Sequence, residues 1–304
     1  MKDVLKYNVI VLLGAVSYGM LSTIVTFAYR QGLHPGEITS LQVLTGTCLL
    51  WVMLILREIF KGGYLRVSNL NIVKLLITGI PTALTCIAYY RSVQLLSVSM
   101  SILLLFQFTW VGNLIECIAE KKLPTKSDII SMMVLVFGTL LASNMIFERQ
   151  ELSYEGIIYG FMSAIFYSLF LFVNGRVATV VDSMTRSGIM LIGTSICILV
   201  IYPPSYLVES LTFSGIIRFG LPLGILGSVI PPLFFSIGIP KIGVGVASIL
   251  CSIELPVVTL AAMFILKEKV GVVQWIGVLI IVGVIAWPLA RNWIEKKKCL
   301  EKKV

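Results

Sequence analysis

The sequence predicts an all-α integral membrane protein of ten transmembrane helices, arranged as two inverted five-helix repeats with both termini cytoplasmic. Three observations carry this expectation. Hydrophobic residues make up 58% of the 304 residues and charged residues only 13%, about half the charged share of roughly 25% found in soluble domains, and the mean hydropathy is +0.98. Apolar runs of about 20 residues, the length a helix needs to cross about 30 Å of hydrocarbon, recur ten times with short polar connections. The last five runs also resemble the first five, and an odd number of spans per repeat makes the second repeat enter the membrane facing the opposite way.

The first run extends from Tyr7 to Ala28 behind Lys2 and Lys6. It is longer than a signal-peptide core and lacks a small-residue cleavage site, so it reads as a first span. Further spans are expected at Gly36 to Leu56, Ile72 to Tyr90, Ser97 to Ala119 and Ile129 to Phe147, which together make a first repeat over 7–147. The second repeat, 154–291, holds Gly156 to Asn174, Met184 to Tyr202, Ile217 to Gly238, Gly243 to Leu266 and Val272 to Ala290, and a basic tail occupies 292–304. Pro81, Pro222, Pro231, Pro232 and Pro256 fall inside spans, where a missing N–H and a ring clash kink or break a helix. Breaks at membrane depth are tolerated where they face protein or a wet cavity, so Pro231, Pro232 and Pro256 are expected to line one.

Of the 24 Lys and Arg residues, only Arg30, Arg91, Arg149, Arg218, Lys267 and Lys269 fall on the side opposite the N-terminus. That bias places both ends in the cytoplasm. The net charge of +9 resides in loops and tail, a pattern that fits anionic lipid rather than nucleic acid as partner. Cys48, Cys86, Cys117, Cys197, Cys251 and Cys299 are scattered and form no C-x-x-C pair, so neither a disulfide framework nor a metal site is expected.

A shift of 147 residues lays Ser101-Ile102-Leu103 on Ser248-Ile249-Leu250, Gln107 on Glu254, Thr109 on Pro256, and Lys121-Lys122-Leu123-Pro124 on Glu268-Lys269-Val270-Gly271. A shift of 146 lays Gly14 and Ser17 on Gly160 and Ser163, and Arg30 on Arg176.

With these residues in view, the chain resembles the EamA-like permeases of the drug/metabolite transporter superfamily. The resemblance is carried by Val246-Ala247-Ser248-Ile249-Leu250, Glu254-Leu255-Pro256-Val257, Leu266-Lys267-Glu268, Gln274-Trp275-Ile276-Gly277 and Gly283. The first half looks like a degraded copy: Thr109 stands where the family has proline, the Trp-Ile-Gly element is missing, and the Glu120-Lys121 exit is kept in kind. The resemblance implies a ten-helix bundle with a central cavity, moving metabolites such as amino acids, often outward. Composition and spacing alone reach only an inverted-repeat carrier.

Glu254 is the sharpest candidate, an acidic residue well inside a span, where a carboxyl is costly unless protonated, hydrated or paired. It either binds a substrate amine or carries a proton, or else it stays protonated and bonds a neighbouring helix around the Pro256 break. Gln107 and Trp110 are expected opposite it, because a glutamine at membrane depth needs partners. Ser17, Tyr18 and Ser163 occupy matching early helices, although a serine can satisfy itself on its own helix backbone. Tyr90 ends span three, where it serves either an interfacial aromatic belt or the substrate path.

Enzyme chemistry is not expected. The one histidine, His34, sits in a short loop, and no His-Glu-x-x-His, Gly-x-Ser-x-Gly or Gly-x-x-x-x-Gly-Lys element occurs, which leaves no zinc helix, nucleophile elbow or nucleotide cradle. No cofactor is expected. The functional expectation is a secondary transporter of small metabolites in the cell membrane, active as a monomer or homodimer. The competing expectation is a non-transporting membrane partner or regulatory subunit that keeps the permease fold.

Overall fold

A computed structural model describes residues 2–61, 67–96, 98–142, 153–203, 215–267 and 270–285. Among these there are helices and no strand. Eight helices are long and apolar enough to cross a membrane: α1 (Leu5–Arg30), α2 (Pro35–Phe60), α3 (Asn69–Leu95), α4 (Met100–Glu120), α6 (Tyr154–Arg176), α7 (Ser183–Ile201), α8 (Ile216–Ile242) and α9 (Val244–Phe264). Two shorter apolar helices, α5 (Ile129–Ala142) and α10 (Val272–Ile285), end at the limits of the described residues. The span ends expected at Phe147 and Ala290, the Glu268-Lys269 exit and the basic tail 292–304 lie outside the described residues.

Local chemistry sets several starts. The Ser153 hydroxyl accepts from the N–H of Gly156 at 3.2 Å to open α6, and the Asp182 carboxylate accepts from Thr185 N–H at 3.4 Å to open α7, each satisfying an otherwise orphaned first-turn donor. Pro35 begins α2, where its missing N–H costs nothing.

The helices are irregular at matching places in the two halves. α4 loses its helix at Phe106 and Gln107, between Val98–Leu105 and Phe108–Glu120. α9 does so at Ser252 and Ile253, between Val244–Cys251 and Glu254–Phe264. α3 turns at Gly79, and α8 widens into π-helix over Ile216–Gly220 and Gly224–Val229.

The expected break at Pro231 and Pro232 takes a different form. The chain stays helical through both prolines, which open the regular stretch Ile230–Ile242 directly after the π-helical one. A π-turn shifts the carbonyl register ahead of a proline, so ring and carbonyl no longer collide and the helix changes type without breaking.

The two halves interleave. α1 packs on α8 and α9, and α6 packs in the same way on α3 and α4; α2 packs on α8, α7 packs on α3, and α2 meets α7. Each half's first helix thus lies against the third and fourth of the other. The tightest crossing is α3 on α7. A Cβ on Gly79 would lie 2.2 Å from the Met190 carbonyl oxygen, and one on Gly193 2.0 Å from that of Leu76, so only glycine lets these backbones touch.

Polarity is inside out relative to a soluble protein. Thr39, Ser40, Gln42, Ser92, Ser101, Ser168 and Asn174 are buried, while Ile55, Phe60, Ile77, Ile118, Met133, Phe264 and Leu279 are exposed. An apolar exterior of that extent is stable against lipid and not against water.

Candidate functional site

The break in α9 delivers Glu254. Because the helix restarts at Glu254, the carboxyl sits in a first turn, whose free N–H groups and dipole favour negative charge, and Pro256 follows at a position where no N–H is needed. Glu254 is buried. Its one protein hydrogen-bond donor among the described residues is Tyr167 of α6, whose hydroxyl donates to Glu254 Oε1 at 2.6 Å.

Tyr167 is in turn held by aromatic neighbours. Its ring meets Phe108 edge-on at 4.6 Å between centroids and 83°, meets Tyr18 at 6.0 Å and 77°, and stacks on Phe170 at 5.9 Å and 20°. Such edge and offset contacts fix ring orientation beyond simple burial. The hydroxyl is therefore aimed by packing.

Glu254, Tyr167, Tyr18, Tyr89, Tyr90 and Gln42 line one cavity, with Thr82, Thr85 and apolar residues of α1, α3, α4 and α9 completing the wall. Its volume is about 90 Å³. Tyr90 donates to Gln42 Oε1 at 2.7 Å, tying α3 to α2. Both halves supply walls. Among the described residues the lining holds one carboxyl, four phenols and no basic side chain, a set suited to an ammonium or other cation through charge and aromatic faces. Its hydroxyls and amide can meet polar groups of the same molecule.

The sequence-predicted residues divide. Glu254 and Tyr90 face this cavity together. Gln107 and Trp110 do not line it: Gln107 bonds the Leu103 carbonyl at 3.0 Å, Trp110 Nε1 donates to Gln107 Oε1 at 2.8 Å, and the indole lies near Phe161. The glutamine's need for partners is met locally, at the break in its own helix. Ser163 bonds Gly160 O on its own helix at 2.6 Å. Ser17 instead reaches Leu226 O at 2.8 Å in the π-helical part of α8, tying the halves beside Tyr18. Pro231, Pro232 and Pro256 are buried and are not among the described residues that line the cavity.

Sequence reasoning missed Tyr167 and Gln42. A buried carboxyl must have a donor, which was signal enough to look for one, but nothing in the local pattern distinguishes Tyr167 from the other aromatics of α6. Among the described residues no group of His, Cys, Asp and Glu is arranged to hold a metal ion.

Residues 154–288 match the family model of the EamA-like transporter family. No curated protein matches the sequence. A solved crystal structure of a protein superposes with a TM-score of 0.73 at 15% identity, over 92% of this chain and 97% of that one. At that identity the likeness speaks for the fold.

Proposed function

On the premise that its second half belongs to the EamA-like transporter family, within the drug/metabolite transporter superfamily, we propose that this multi-pass membrane protein is a secondary transporter in the cell membrane. It carries small amine-bearing metabolites such as amino acids, outward or by exchange, through alternating access of two inverted five-helix halves. In this reading α5 and α10 complete ten spans and both termini are cytoplasmic. One chain already holds both halves, so a monomer suffices, and anionic lipid meets the basic loops and tail.

The observation that carries the reading is the Tyr167–Glu254 pair facing a cavity walled by both halves. An intramembrane carboxyl at a helix break, paired to a phenol and beside a cavity, is placed to take a substrate ammonium or a proton. The interleaved packing, with breaks at Gln107 and Ile253 in equivalent helices, gives the two halves the same internal parts. Rocking one against the other then exposes the cavity to either side.

The test compares metabolites inside and outside cells expressing the native chain or Glu254→Gln at matched membrane levels. A compound class that accumulates outside only with the native chain supports the reading and supplies a substrate for liposomes. Equal shifts with both chains would remove Glu254 from the mechanism, and no shift with either would favour a non-transporting partner.

A further inference from the structure

A second pocket lies where α6 ends, α7 begins and α8 ends, and it shares no lining residue with the tyrosine-rich cavity. It measures about 440 Å³ and is lined by Arg176, Arg186 and Lys241 together with Thr179, Ser183 and Ser236. Among the described residues no acidic side chain lines it.

Arg186 is the unusual member. It is 1% exposed and sits in the first turn of α7, the helix end at which the dipole disfavours a cation. Among the described residues its guanidinium donates only to neutral oxygens: the Ser236 carbonyl at 3.2 Å, the Asn174 side-chain oxygen at 3.4 Å, and the Asn174 carbonyl. Among the described residues no carboxylate pairs with it. Arg186 Nε and Ser236 Oγ, both on residues that line the pocket, are buried without a hydrogen-bond partner among the described residues. Buried charges are normally paired, and a guanidinium left with neutral acceptors and a spare donor is an unfinished site.

The neighbours supply what an oxyanion needs. Lys241 is exposed at the rim and no carboxylate among the described residues pairs with it. Arg176 is held from behind by Glu120 at 2.8 Å and by the Phe172 ring, 4.9 Å from its guanidinium carbon. Ser183, the first residue of α7, adds a hydroxyl to the lining, while the helix start itself is already capped by the Asp182 carboxylate. Three cations and the hydroxyls of Thr179, Ser183 and Ser236 around one opening match the tetrahedral oxygens and charge of a phosphate group better than a planar carboxylate.

We propose that this pocket binds a phosphate group, carried either by an anionic phospholipid headgroup or by a soluble phosphate compound. The ligand supplies the counter-charge that Arg186 lacks and joins the ends of α6, α7 and α8. The inference does not depend on Glu254 or on transport.

The experiment follows the melting temperature of the full chain under two titrations at constant ionic strength. One adds inorganic phosphate, with chloride as control, to protein in neutral detergent. The other raises the mole fraction of phosphatidylglycerol in phosphatidylcholine nanodiscs. Because Arg186→Gln can fail to fold, the variant is Lys241→Gln, whose side chain is exposed. The expected result is a saturable rise in melting temperature with at least one ligand, whose half-saturation rises about tenfold in Lys241→Gln, equivalent to about 1.4 kcal/mol. A rise with phosphate identifies a soluble ligand, and a rise with phosphatidylglycerol alone identifies the lipid. No saturable rise with either, or a half-saturation unchanged in Lys241→Gln, overturns the proposal and leaves Arg186 as a pin between α6 and α8.

Discussion

The Tyr167 hydroxyl donates to Glu254 Oε1 at 2.6 Å across the gap between α6 and α9. This contact joins a helix whose residues pack against the first half to the restart of a broken helix, so its loss is felt both in stability and at the cavity. Tyr167→Phe keeps the ring and its contacts with Phe108, Tyr18 and Phe170 while leaving the buried carboxyl oxygen without its donor. The expected cost is about 1–3 kcal/mol of stability. Once a substrate is in hand, its transport should fall by about tenfold, against complete loss in Glu254→Gln. Melting temperature and liposome flux, measured on the same preparations, check both. Undiminished flux in Tyr167→Phe would mean that the phenol merely parks the carboxyl.

The α3–α7 crossing gives a sharper stability prediction. A Cβ on Gly193 meets backbone, the Leu76 carbonyl oxygen at 2.0 Å, and no rotamer change relieves it. Gly193→Ala should cost about 1–3 kcal/mol or more, as overpacking does. Gly283, on α10, has nothing among the described residues within 4 Å of the added atom, so Gly283→Ala should be neutral or slightly stabilising, by up to about 1 kcal/mol. Thermal unfolding of the two variants side by side separates close approach from helix propensity.

Much of this bundle is legible in the sequence, because a span of lipid-soluble residues bounded by charge has few other folds open to it. The expected limits of α6, Gly156 to Asn174, differ from Tyr154–Arg176 by two residues at each end. The breaks are a different matter. Pro256 marks the one in α9, but the one at Phe106 and Gln107 carries neither proline nor glycine, and only the repeat points to it. Pro231 and Pro232 advertise a break where the structure runs on as regular helix directly after a π-helical stretch. Glu254 was legible by its cost in lipid. Its partner was not, since a phenol at membrane depth has too many uses. Arg186 enters the sequence reading only as one of the basic residues on the side of the N-terminus, although its place four residues after the Asp182 cap puts it in the wrong turn of a helix for its charge.

At the start of α7, Asp182 does two jobs: it caps the helix and forms a two-armed pair with Arg57 of α2, one arm measuring 3.1 Å. The bond to Arg57 holds its carboxyl below the usual aspartate range, and the Thr185 N–H adds to the effect. A depressed folded-state value gives a contribution that is complete above the unfolded value of about 4 and fades as pH falls through the folded one. Asp182→Asn should therefore be less stable than the native chain at neutral pH by about 0.5–1 kcal/mol, since the pair is half-exposed. The difference should shrink below about pH 4, and in high salt. Asp182→Ala should lose the cap as well, about 1 kcal/mol more. Melting temperatures of the three proteins across pH check the sign. A gap between native and Asp182→Asn that persists at low pH would show that charge is not its cause.

The junction of α8 and α9 combines backbone strain with a charged cap. Gly243 has φ 83° and ψ 161°, a region visited essentially by glycine alone, which costs other residues on the order of 1–3 kcal/mol. Directly after it, Glu116 of α4 accepts from the Val244 N–H at 2.9 Å and from the Gly245 N–H, so the carboxylate closes two orphan donors at the start of α9. Glu116→Ala should cost about 1–3 kcal/mol, and Glu116→Gln less, because one oxygen remains to accept. Gly243→Ala is penalised twice, by its torsions and by an added Cβ that would stand 3.2 Å from Glu116 Oε1. The double variant Glu116→Ala/Gly243→Ala separates these causes. If strain dominates, the two losses add, because shortening the glutamate does nothing for the torsions. If crowding against the carboxylate dominates, Gly243→Ala costs little once Glu116 has been cut back, and the melting temperature of the double variant stays close to that of Glu116→Ala.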